Sequence, residues 1–83
     1  MEDKFKTNKP LYDYRIEFDT SKLDDRLQNY IKRLEEYDKE GDWFNYDLLF
    51  DEFEIELKGY VRHKKITDNE YKILLRKYGW LYD

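Results

Sequence analysis

Apolar residues recur with two different periods along these 83 residues. In the stretch LYDYRIEFD, residues 11 to 19, Tyr12, Tyr14, Ile16 and Phe18 alternate with Asp13, Arg15, Glu17 and Asp19. A period of two with β-favouring residues predicts an extended arm over 11–18. A lone strand leaves backbone donors and acceptors unmet, so the arm must pack on its own helices, pair with its copy, or add to a partner's sheet edge. Residues 1–10 show no period and end in the single proline, as expected of a flexible tail ahead of one domain spanning 11–83.

Downstream the period becomes helical. Leu23, Leu27, Tyr30, Leu34 and Tyr37 recur at steps of four and three, with Ile31 beside them. Ser21 followed by Asp24 reads as a weak capping box, and Gly41 as a stop, giving a helix over about 22–40. Asp42 suits the cap of a second helix over about 43–63. Within it Tyr46, Leu49, Phe50, Phe53, Leu57, Tyr60 and Val61 fall in one arc of about 120° on a helical wheel. Thr67 and Glu70 form a full capping box for a third helix over 68–78, with Ile66 and Tyr71 as its hydrophobic staple and Gly79 as its stop. The closing WLYD is expected to fold back on that helix.

The stretch FDEFEIEL, residues 50 to 57, fits both periods. As a strand it puts Phe53, Ile55 and Leu57 on one face. As a helix it sends Ile55 away from the core. The upstream DLLFD does not alternate, and glutamate is depleted in strands, so the helix is preferred despite Gly59 in its interior. The expected fold is mainly α: a small three-helix domain with an extended N-terminal arm. The alternative is α+β, with strand 11–18 pairing 52–58.

Composition narrows the function. Sixteen aromatic residues can fill a core that so short a chain would otherwise struggle to build, and the absence of cysteine removes disulfides and thiolate metal sites. No apolar run approaches the roughly 18 residues needed to cross a bilayer, so a cytoplasmic, membrane-free protein is expected. The single histidine, His63, sits among Arg62, Lys64 and Lys65. No cysteine nucleophile, glycine-rich phosphate loop or metal-ligand spacing accompanies it. No enzyme, cofactor or metal site is therefore expected.

Charge is segregated. Residues 23–57 carry twelve acidic and four basic side chains, whereas residues 58–83 carry seven basic and three acidic. From Glu35 to Glu56 a single base, Lys39, interrupts ten carboxylates. On the helical reading Asp47, Asp51 and Glu54 make one row and Glu52 with Glu56 another. Like charges at this spacing repel. Leu48 and Ile55, seven apart, project between them, opposite the core stripe; the arm or the WLY segment could cover them. An apolar centre with a charged rim is the anatomy of a protein interface. The candidate partner-binding set is thus Asp47, Leu48, Asp51, Glu52, Glu54, Ile55 and Glu56, with Tyr12 and Tyr14 of the arm.

The expected function is that of a small acidic interaction protein occupying a basic site on another protein, including one that normally holds nucleic acid. Its size, acidity, lack of alanine and wealth of lysine, aspartate and tyrosine are of the kind seen in low-GC bacteria and their phages. Inhibitors from such sources include anti-CRISPR proteins and nucleic-acid mimics. Two alternatives remain: a homodimer or other self-associating subunit, and a DNA-binding regulator using Arg62, Lys64, Lys65, Lys72, Arg76 and Lys77. Against the latter, Asp68 and Glu70 open the would-be recognition helix and would repel a phosphate backbone.

Overall fold

The computed structural model describes residues 10–79. After a short 3-10 turn, Thr20–Lys22, the chain forms α1, Asp25–Glu40, α2, Trp43–Arg62, and α3, Asp68–Tyr78. No strand occurs among the described residues, and the fold is mainly α. The expected 1–9 tail and the packing of WLYD lie outside the described residues.

Local chemistry sets each boundary. The Asp24 carboxylate accepts the Leu27 N–H and starts α1 three residues later than the Ser21 pattern suggested. Ser21 is instead drawn into the preceding turn, where its N–H and hydroxyl both donate to Asp19. Gly41, at φ 68°, ends α1 in the left-handed conformation. Its N–H reaches the Asp38 carbonyl and the Asp42 N–H reaches that of Tyr37, so the paired bonds of a Schellman motif close the helix. Asp42 then caps α2 by accepting from Asn45. With so tight a corner the two helices run antiparallel, Tyr30 meeting Phe53 and Arg26 meeting Glu56.

The α2–α3 corner repeats the Schellman pattern with Lys64 in the left-handed position, at φ 58°. A side chain there costs about 1–2 kcal/mol relative to glycine. Thr67 and Glu70 make the reciprocal capping box of α3, and Ile66 is buried with Tyr71 packed beside the core.

Helix α2 is the hub. Tyr46, Leu49, Phe50, Phe53 and Leu57 are buried along it and meet Leu27, Ile31 and Leu34 from α1 and Leu74 and Tyr78 from α3. The Tyr46 hydroxyl donates to the Tyr78 carbonyl at 2.7 Å, which meets a terminal helix acceptor inside the core. FDEFEIEL is therefore helical throughout, and the α+β pairing of 11–18 with 52–58 does not form.

The arm differs from its expected alternation. Leu11 is fully buried and Asp13 nearly so, while Tyr14 is 55% exposed. With no neighbouring strand, the arm's backbone finds helical partners instead. The Leu11 N–H donates to Asp38 at 2.7 Å and the Asp13 N–H to the Lys77 carbonyl at 2.8 Å. The Ile16 N–H turns back to the Asp13 carbonyl, bending the segment around Tyr14 and Arg15. Lys77 donates to the Ile16 carbonyl, and Tyr14 to Asp38. The arm is a bent strap over the C-terminal ends of α1 and α3.

Candidate interaction surface

The buried stripe of α2 dictates what its opposite side shows. At 100° per residue, Leu48 and Ile55 lie about 160–180° from Tyr46 and Leu57. They are 52% and 68% exposed, against 3% for Leu49 and none for Phe53. Phe44, 43% exposed and four residues before Leu48, extends the stripe by one turn. Sequence reasoning passed over Phe44, although the same wheel places it there.

The five candidate carboxylates of α2 do not act alike. Glu56 is held in a two-pronged pair by Arg26 across the α1–α2 seam, with nitrogen–oxygen distances of 2.7 and 3.1 Å. Glu54 has Lys58 one turn on, at 3.9 Å. Asp51 and Glu52 are exposed beside the apolar stripe, and Asp47 is half-buried in the same row as Asp51. Burial, and then the charge of Asp51, pushes the Asp47 carboxyl above its usual range. The outward acidic group is thus Asp47, Asp51 and Glu52, bracketing Leu48 on both flanks, while Glu54 and Glu56 are engaged within the chain.

The structure separates Tyr12 and Tyr14 from that surface. The Tyr12 ring lies between Tyr14, edge-on at 4.4 Å, and Tyr78 at 5.1 Å. Tyr78 in turn packs against Phe53 on the core face of α2. Burial, with Glu35 and Asp38 nearby, lifts the Tyr12 hydroxyl to about 12. The two tyrosines belong to the strap and the acidic stripe to the outer face of α2.

The basic set is divided too. Arg62, Lys64, Lys65, Lys72 and Arg76 are exposed, but Lys77 is buried with its amine on the Ile16 carbonyl and over the rings of Tyr12 and Tyr78. Glu70 at the start of α3 is committed to its capping box and to Lys22 at 3.4 Å. Near the C-terminal end of α2 a shallow notch of about 270 Å³ is lined by Ile55, Glu56, Gly59, Tyr60, His63 and Lys65. Among the described residues no three metal-ligating side chains converge, and no helix is long and apolar enough to cross a membrane.

The caps and clasps make stability depend on pH at both ends. Asp24 is held below the usual carboxylate range by the Tyr60 hydroxyl and then the Leu27 N–H, Asp13 by Arg15, Asp19 by Ser21 and Glu70 by the Thr67 backbone. A depressed folded-state pKa contributes stability that is complete above the unfolded value, near 4, and is lost as pH falls through the folded value. Tyr60, raised to about 12 by burial and by Asp24, behaves oppositely. Its contribution is complete below the unfolded value of about 10 and disappears between about 10 and 12. Thermal melts followed by circular dichroism should show a plateau at neutral pH with losses below about pH 4 and above about pH 10. Asp24→Asn, which keeps a capping oxygen, should make the acid limb shallower, leaving the shares of Asp13, Asp19 and Glu70. Tyr60→Phe should do the same to the alkaline limb, leaving those of Tyr12 and the other buried tyrosines. An acid limb unchanged in Asp24→Asn would remove Asp24 from this account.

No protein-family model, curated protein or solved structure matches this chain.

Proposed function

We propose that this protein is a small, non-enzymatic interaction module that docks the outer face of α2 onto a basic surface of a partner protein. The observation that carries the reading is the exposure of Leu48 and Ile55, 52% and 68%, on a helix whose other face is fully packed. Asp47, Asp51 and Glu52 stand beside that stripe with like charges along the same helix and no intervening lysine. Such repulsion disfavours the isolated helix by a few tenths of a kcal/mol per pair, and a basic partner would reverse its sign. Leu48 and Ile55 supply the apolar centre and the carboxylates the polar rim and steering. A cytoplasmic protein that binds nucleic acid offers such a surface. Occupying it would make this protein an inhibitor of the phage or mobile-element kind, a nucleic-acid mimic or anti-CRISPR protein among them.

The test begins with capture from a low-GC bacterial lysate by wild type and by a triple variant, Asp47→Lys, Asp51→Lys and Glu52→Lys. A basic protein retained by wild type alone is then purified and titrated directly, with duplex DNA as competitor. The triple variant should bind about 100-fold more weakly with its helical signal intact, and affinity should fall with salt. Equal binding by wild type and the triple variant would overturn the site.

A further inference from the structure

Three locally unfavourable choices meet at the C-terminal end of α2. Gly59 stands inside the helix, where glycine costs about 1 kcal/mol relative to alanine. Nothing lies within 4 Å of where its Cβ would be, so the packing of the described residues does not require it. Lys64 holds a left-handed conformation that suits glycine. Ile55 is the most exposed of the large apolar side chains among the described residues. Gly59 and Ile55 line the same notch, together with His63 and Lys65. Natural sequences break local rules chiefly where another requirement prevails, and the packing of the described residues supplies none for these three positions.

The outer face of α2 is also electrically polar. Its N-terminal half presents Asp47, Asp51 and Glu52 around Leu48; its C-terminal end presents Lys58 and Arg62 beside Gly59, and the corner that follows adds Lys64 and Lys65. Each half is the chemical complement of the other. We infer that two copies of this chain pair along the outer faces of α2, antiparallel and centred on Ile55, the acidic half of each helix lying against the cationic end of its partner.

Charge selects both direction and register. A parallel pair would set acid against acid. An antiparallel pair centred between Leu48 and Ile55 would set Asp51 opposite Glu52. Centring on Ile55 sets Glu52 opposite Lys58, Leu48 opposite Arg62, and Asp51 opposite Gly59, where the missing side chain lets the second helix come close. Glu54 falls opposite Glu56, each already held by a cation of its own chain. Antiparallel helix dipoles add to the attraction. Centred on Ile55, the two helices overlap over residues 48–62, a strip about 20 Å long and about 10 Å wide that buries on the order of 400 Å² in total, short of the roughly 1,000 Å² that marks a stable interface, so the pair forms and exchanges readily. Because it uses the surface assigned above to a basic partner, self-pairing and partner binding exclude each other. The pairing itself does not depend on that partner's existence.

The chain lacks cysteine, so Ile55→Cys introduces a unique thiol on the pair's two-fold axis. Under mild oxidation it should form a disulfide-linked dimer about tenfold faster than Lys32→Cys, exposed on α1, and faster at about 50 mM than at about 500 mM salt. In sedimentation equilibrium the wild-type mass should rise with concentration. Asp51→Lys with Glu52→Lys should be monomeric, as should Lys58→Glu with Arg62→Glu, and an equimolar mixture of the two should recover the dimer. A concentration-independent wild-type monomer up to about 1 mM at low salt, or a mixture that stays monomeric, would overturn the pairing while leaving the basic-partner reading to its own titration.

Discussion

Phe53→Ala is expected to remove about 3–5 kcal/mol of stability, enough to leave a domain of this size largely unfolded at 25 °C. Phe53 is fully buried at the centre of α2, with its ring 5.9 Å from that of Tyr30, 6.4 Å from Phe50 and 6.0 Å from Tyr78. Truncation would open a cavity facing both neighbouring helices, which cannot both collapse into it. Ile55→Ala, two residues away, should change stability by less than about 0.5 kcal/mol because the side chain is largely in water. Urea denaturation followed by circular dichroism measures both. The contrast is diagnostic of the backbone, since a strand through 52–58 would place both residues on one face and make both truncations costly. Comparable losses from the two would refute the helical packing of α2.

Lys77→Ala should cost about 2–3 kcal/mol, more than truncation of any exposed cation in this chain. Its amine reaches the Ile16 carbonyl across the strap and lies 5.5 and 5.6 Å from the ring centres of Tyr12 and Tyr78. A charge-assisted hydrogen bond, two cation–π contacts and a buried stem are lost together, and the strap loses one of its ties to α3. Lys72→Ala, on the exposed side of the same helix, should be nearly neutral. The pair also tests the regulator reading of the basic residues. Were Lys77 a phosphate contact, its truncation would spare stability and weaken binding in a gel-shift assay. Loss of the fold without a specific DNA defect is the expected result. A Lys77→Ala protein as stable as wild type would refute the strap's anchoring.

Much of the architecture was legible because its signals are local. Helix α3 announced itself through Thr67, Glu70 and Ile66, whose effects act within one turn. Gly41 and Asp42 marked the α1–α2 corner for the same reason. The start of α1 was misplaced because Ser21, Asp19 and Asp24 are all capping residues, and the choice among them depends on a 3-10 turn that precedes the helix. The α2–α3 corner gave no glycine to read, since Lys64 occupies the left-handed position.

The amphipathic pattern by itself determined three helices, the core stripe of α2 and the outward direction of Leu48 and Ile55, because a 3.6-residue period fixes which side chains share a face. It could not determine where the arm lies. Tyr12, Tyr14, Ile16 and Phe18 alternate as a strand would, but a strand exists only beside another, and α2 is helical. Tertiary contacts with Asp38 and Lys77 decided that Leu11 goes inward and Tyr14 outward. They also decided which charges are available. Arg26 takes up Glu56 and the strap takes up Lys77, leaving Asp47, Asp51 and Glu52 to face outward. A carboxylate's role depends on the cation brought to it by the fold, and residues 30 or 61 positions apart meet only when the helices have packed.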